Sequence, residues 1–129
     1  MTTALLLIAH GSRNDDANAD LVYVAAAMGR RGQLIVETAY LEVAEPGIEA
    51  GAAHCVEGGA ELVVMLPYFL SAGVHVRRDL ALARDRLAER FPAVEFRLAE
   101  PLGRHPLLLE VVSERVREAL GQSTRRTFP

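Results

Sequence analysis

Met65-Leu66-Pro67-Tyr68-Phe69-Leu70-Ser71-Ala72-Gly73-Val74-His75-Val76-Arg77-Arg78-Asp79 decides the fold. The apolar run Leu62 to Leu66 reads as a buried strand that breaks at Pro67. The small residues Ser71-Ala72-Gly73 form a loop, after which a helix begins with His75 in its first turn. Strands that empty through a loop into a helix N-terminus are where open α/β folds place their ligands, and the unpaired N–H groups there favour anions. The chain repeats this design at Leu5 to Ala9 followed by His10-Gly11-Ser12-Arg13. Two histidines therefore stand just past the C-terminal ends of two strands.

Working outward, Leu5-Leu6-Leu7-Ile8-Ala9 is a continuous apolar run, as expected of a parallel strand buried on both faces. Asn14, Asp15 and Asp16 supply a cap and first-turn acids for a helix presenting Ala17, Leu21, Val24, Ala25 and Met28. Gly29 to Gly32 ends it. A second strand is expected over Leu34 to Leu41, and Pro46 is expected to open the next helix as a first-turn proline. Ile48, Ala52, Cys55 and Val56 form that helix's inner face, with Gly58-Gly59 as its stop.

Beyond the central stretch, Val76, Leu80, Ala83, Leu87 and Phe91 make a helical stripe closed by Pro92. Val94 to Leu98 is a fourth strand. A last helix from Pro106 to Leu120 is expected to bury Leu108, Leu109, Val112, Val116 and Leu120, and Gly121 is its stop. The remaining tail, to Pro129, is polar and aperiodic, and fraying is expected there.

Repeated strand–helix units predict an α/β fold: an open, parallel four-stranded sheet with helices on both faces, in flavodoxin-like winding. No linker interrupts the pattern, so 1–129 reads as one domain with a core over about 4–120. If the strand order is 2-1-3-4, His10 and His75 flank one switch-point crevice.

Composition narrows the function. Half of the 129 residues are hydrophobic (50%), enough for a real core. No apolar run is long enough for a membrane span, and the apolar start lacks the features of a signal peptide. With one cysteine, Cys55, no internal disulfide is possible, which fits a reducing compartment and a cytoplasmic location. The net charge of −3 argues against a nucleic-acid binder. All 14 basic residues are arginine, whose planar fork suits carboxylates where it lines a site.

A lone histidine after a strand is more often structural than catalytic. Two at equivalent places, each near glycine and arginine, favour a shared site. His54 lies off its helix's inner face and reads as a surface residue, while His105 sits at a further strand exit as a third candidate. Cys55, within an apolar stripe, reads as a small core residue. No phosphate-binding glycine fingerprint follows the first strand. Two imidazoles suit a borderline transition metal, as ligands or as proton acceptors, but fall short of the four ligands of a structural zinc site. Glu42 and Glu45 stand at the same end of the sheet and offer a metal path or a substrate contact, or are solvated loop acids.

His10-Gly11-Ser12-Arg13 after an apolar strand, Tyr40-Leu41-Glu42 followed by Pro46, and Pro67 to His75 with Asp79 closely resemble the short CbiX-type sirohydrochlorin chelatases. The resemblance covers about residues 4–120, and the third motif is the specific one. It implies a chelatase-type fold and ATP-independent insertion of a divalent metal (cobalt, iron or nickel) into sirohydrochlorin, with no permanently bound cofactor. His10 matches the family's metal-binding proton acceptor and His75 its second metal ligand. Leu70, Ser71, Ala72, Gly73, Val74 and His75 match the substrate-contacting loop, and Glu45 falls at another substrate position. Short members are expected to be homodimers with the cleft between the copies. Competing readings are a non-catalytic metal or tetrapyrrole carrier and a histidine phosphatase. Against the latter, Ala9 stands where that family needs arginine.

Overall fold

Alternate side chains of the strand Thr3–Ala9 (β1) feed two separate apolar layers, and this divides the molecule. Ala4, Leu6 and Ile8 point to one side and Leu5 and Leu7 to the other, all of them buried. The computed structural model describes residues 1–121. Its elements run β1, α1 (Asp15–Arg31), β2 (Ile35–Tyr40), α2 (Ile48–Glu57), β3 (Leu62–Pro67), α3 (Val74–Arg90), β4 (Glu95–Leu98) and α4 (Leu107–Ala119). The four strands form one parallel sheet in the order β2-β1-β3-β4. The expected α/β class and strand order are therefore observed. Because the strands are parallel, every strand–helix loop leaves from the same edge.

The layer around Leu6, Ile8, Val63 and Met65 is closed by Ala52 and Cys55 of α2 and by Leu80 and Leu87 of α3. The opposite layer packs Leu5 and Leu7 against Leu21 of α1, with Val24, Ala25 and Met28 beside it. Each fully buried leucine or isoleucine stabilises the fold by about 1.5–3 kcal/mol. Ala17, placed on this face by periodicity, is instead exposed near the start of α1. Helix limits follow the capping chemistry. The Asn14 side chain accepts from the Asp16 N–H at 2.9 Å, and Gly58 ends α2, with Gly59 at φ +100° behind it.

Two expectations are corrected. Pro46 does not occupy the first turn of α2: the helix starts at Ile48 after the N-cap Gly47, and the Pro46 carbonyl accepts from Tyr40 N–H at 2.9 Å. Proline there prolongs the β2 edge rather than opening the helix. The second correction concerns α4. None of its residues is buried, and Leu109 (69% exposed), Val112 (58%) and Leu120 (49%) face outward, with only Leu108 and Val116 half-buried. The stripe is helical as read, but no element covers it among the described residues. A gap of about 370 Å³ lined by Leu66, Leu102, Leu108 and Val111 separates α4 from the sheet. Gly121, at φ +84°, follows the last turn of α4 as expected; the tail beyond it lies outside the described residues. Among the described residues no helix is long and apolar enough to cross a membrane.

Candidate functional site

His10 follows the last residue of β1, and the backbone around it is fixed from both neighbouring strands. Leu41 N–H donates to Ala9 O at 2.9 Å and Glu42 N–H to His10 O at 3.1 Å, extending the β1–β2 ladder into the loops. On the other side Tyr68 N–H donates to Ile8 O at 2.6 Å. Gly11 turns the chain away at φ +96°, and a Cβ there would lie 1.9 Å from the Glu42 carbonyl oxygen. Only glycine meets both demands. Asn18 then ties the loop to α1: its Oδ1 accepts from Ser12 N–H at 3.0 Å and its Nδ2 donates to Ser12 O at 2.8 Å. The Tyr40 hydroxyl donates to Asn18 O at 3.1 Å, and burial raises the pKa of that phenol.

The His10 imidazole projects as an exposed side chain into a cleft of about 570 Å³. Tyr40, Leu41 and Glu42 line it from the end of β2, Ile48 and Glu49 from α2, and Val76, Asp79, Ala83 and Arg86 from α3. That volume is of the size that takes a small organic ligand. Its charged walls carry three carboxylates, Glu42, Glu49 and Asp79, against one guanidinium, Arg86. Glu49 is shared with Arg90 at 3.3 Å. Asp79 lies 3.9 Å from Arg78 Nε, so Glu42 is the lining carboxylate with no ion-pair partner among the described residues. A second, smaller cavity of about 290 Å³ lies on the α1 side, and His10 lines both.

His75, the second residue of α3, lies at the same sheet edge, because β1 and β3 are neighbours and both exit there. It is exposed and does not line the 570 Å³ cleft, although Val76 and Asp79 beside it do. Arg78 Nη2 donates to His75 Nδ1 at 3.1 Å, so an ion bound at that nitrogen requires Arg78 to withdraw. Leu70, Ser71 and Gly73 are exposed and Ala72 half-buried in the β3–α3 connection, and exposed Val74 opens α3; they too stand outside the cleft walls, as does exposed Glu45.

Of the arginines nearest in sequence, Arg77 is engaged with Ala72 O at 3.1 Å and with Glu100 at 3.2 Å. Arg86 is the one that reaches the cleft wall. Its signal in the sequence was its spacing, one helical face with Val76, Asp79 and Ala83. His105 Nδ1 accepts from Leu107 N–H at 3.2 Å, which makes it a cap for the start of α4. His54 is on the surface near Glu37, as expected. Cys55 is fully buried and its thiol is pushed up to about 12, chiefly by burial, so it supplies no thiolate ligand.

Sequence reasoning passed over Phe69. Its ring stacks on that of His10 with centroids 4.4 Å apart and planes 28° from parallel. The hint was its position inside the central motif. Among the described residues no group of three or more His, Cys, Asp or Glu side chains gathers for a metal ion. An ion held here by imidazole keeps positions open to other ligands.

Against known proteins, the chain is 36% identical over 117 residues to the chloroplastic sirohydrochlorin ferrochelatase of Arabidopsis thaliana, a match covering 90% of this chain and 52% of that protein. It is 31% identical over 116 residues to the sirohydrochlorin cobaltochelatase of Sulfolobus acidocaldarius, covering 90% of this chain and 91% of that one. Its fold superposes with a TM-score of 0.82, at 27% identity, on the crystal structure of the sirohydrochlorin chelatase SirB from Bacillus subtilis subspecies spizizenii in complex with cobalt, covering 92% of this chain and 51% of that chain. The chain thus spans about half the length of the plant and Bacillus proteins and nearly all of the archaeal one. The CbiX family profile matches residues 4–119, and the chain belongs to the CbiX family.

Proposed function

We propose that this protein is a sirohydrochlorin chelatase, inserting a divalent metal (cobalt or iron, with nickel as a further candidate) into the macrocycle without ATP. The observation that carries the reading is His10: a pinned, outward-facing imidazole at a strand exit, on the wall of an open cleft shared with Glu42 and Asp79. The relatives' names, sirohydrochlorin ferrochelatase and cobaltochelatase, supply the substrate.

Insertion exchanges one M²⁺ for two pyrrole N–H protons, so the ring nitrogens need a nearby base. Neutral imidazole accepts one proton at a lone pair and in its neutral form also ligates the incoming ion. In this reading His10 does the two in turn: its lone-pair nitrogen holds the ion first and, once the ion has passed to the ring nitrogens, accepts one pyrrole proton; the second proton leaves to solvent, and His75 is the second metal ligand. Glu42 and Asp79 draw the cation in. Leu70, Ser71, Ala72, Gly73, Val74 and Glu45 contact the macrocycle around the rim, and its carboxylates are met by loop N–H groups and by Arg86. The metal is a substrate, so no permanent cofactor is invoked.

The chain acts as a single lobe, 1–129, and two copies form a homodimer. One lobe walls one face of a flat macrocycle, and the second copy supplies the other wall. The double length of the plant and Bacillus relatives supports this arrangement. A cytoplasmic location accords with the unpaired Cys55.

An anaerobic absorbance assay with sirohydrochlorin and each of Co²⁺, Fe²⁺ and Ni²⁺ tests the reading. Metal-dependent spectral conversion faster than the protein-free rate, with repeated turnover, is expected. Stoichiometric binding without turnover would instead identify a carrier.

A further inference from the structure

We infer that Phe69 is the positioning residue of the site, holding the plane of the His10 imidazole towards the cleft; this rests on the role proposed for His10. A base must be held in a productive orientation to contribute fully, and a histidine is ordinarily oriented by a hydrogen bond to its second ring nitrogen. The histidine ring hydrogen bonds among the described residues are those of His75 and His105. His10 has a flat apolar surface instead: the Phe69 ring at 4.4 Å and 28°. Stacking leaves the lone-pair nitrogen of the neutral imidazole free to hold the ion and then, once the ion has left it, to take a proton, while fixing the ring's tilt. That suits a residue asked to ligate and accept protons in one cycle.

Phe69 can do this because its own backbone is fixed from the far side. Leu102 N–H donates to Phe69 O at 3.0 Å, joining the β3–α3 connection to the β4–α4 connection. The contact behind it is close: a Cβ at Gly103 would lie 1.8 Å from the Leu70 carbonyl oxygen. The Phe69 side chain is half-buried and packs against the layer formed with α2 and α3. His10 is thus fixed through its backbone by the chain leaving β2 and, by way of Phe69, through its ring by the β4–α4 connection.

The test compares Phe69→Leu, which keeps an apolar side chain and removes the flat surface, with Phe69→Tyr, which restores the ring. For Phe69→Leu, kcat for metal insertion is expected to fall roughly 10- to 100-fold, as for a reacting group out of alignment, with KM for sirohydrochlorin little changed. Phe69→Tyr is expected to recover most of kcat. Independently of turnover, the carbon-bound His10 ring protons should show an upfield ring-current shift by NMR in the wild type and in Phe69→Tyr, lost in Phe69→Leu. Normal kcat in folded Phe69→Leu, a rise in KM alone, or ring-proton shifts indifferent to residue 69 would overturn the assignment. Wild-type protein without insertion activity would overturn the reading of His10 itself, a different outcome from an active wild type with an equally active Phe69→Leu.

Discussion

His10 is exposed and contributes nothing to either apolar layer, so its replacement separates chemistry from folding. His10→Ala should leave thermal unfolding nearly unchanged while insertion falls about 10²- to 10⁴-fold, the usual cost of losing a general base. A variant with near-normal turnover and weaker macrocycle binding would make His10 a contact rather than the proton acceptor. Cys55 is the opposite kind of residue, wholly inside and without a chemical role. Burial lifts its thiol from an ordinary 9.0 to about 12. The folded pKa lies above the unfolded one, so the stabilisation is fully present below about pH 9 and is lost as pH rises towards 12. Chemical denaturation at a series of alkaline pH values should show that decline, and Cys55→Ala should flatten it while lowering stability at neutral pH through the cavity it leaves. An identical alkaline slope in the variant would assign the decline to other groups, buried Tyr40 first among them.

Among the elements, the loops at the C-terminal edge carry the proposed site, and the first of them is tied down by hydrogen bonds. The β1–α1 loop is held by Ser12, Asn18 and Tyr40 and turned at Gly11. Gly11→Ala forces a methyl group into the Glu42 carbonyl and demands a positive φ that alanine adopts at a cost of about 1 kcal/mol or more. The variant should be less stable, and its insertion activity should fall further than its folded fraction, because the displaced peptide carries His10. Activity that simply tracks the folded fraction, measured by circular dichroism alongside the assay, would show that the loop tolerates the shift. α4 is the contrasting element: amphipathic by sequence, yet with no buried residue and a gap beneath it.

For the whole molecule, the cleft is lined by one lobe alone, and the proposed second copy would close over it. Sedimentation at micromolar concentration should give twice the 14.0 kDa chain mass. A fully active monomer would leave one lobe sufficient for the reaction.

The sequence by itself determined the alternation of strands and helices, the caps at Asn14 and Gly58, and the strand-exit positions of His10 and His75. These depend on local periodicity and backbone chemistry, which neighbouring residues specify. It also carried the family resemblance, through motifs that are contiguous in the chain. Only the tertiary structure decided which surfaces those elements would find. The stripe on α4 is written in its residues, but how much of it is covered depends on which elements pack around it. The choice of Arg86 over nearer arginines depends on α3 and the end of β2 lining one cleft, and the pairing of His10 with Phe69, 59 positions away in sequence, depends on β1 and β3 lying side by side. Contacts between distant segments are set by sheet order, and one strand's sequence does not encode its neighbour.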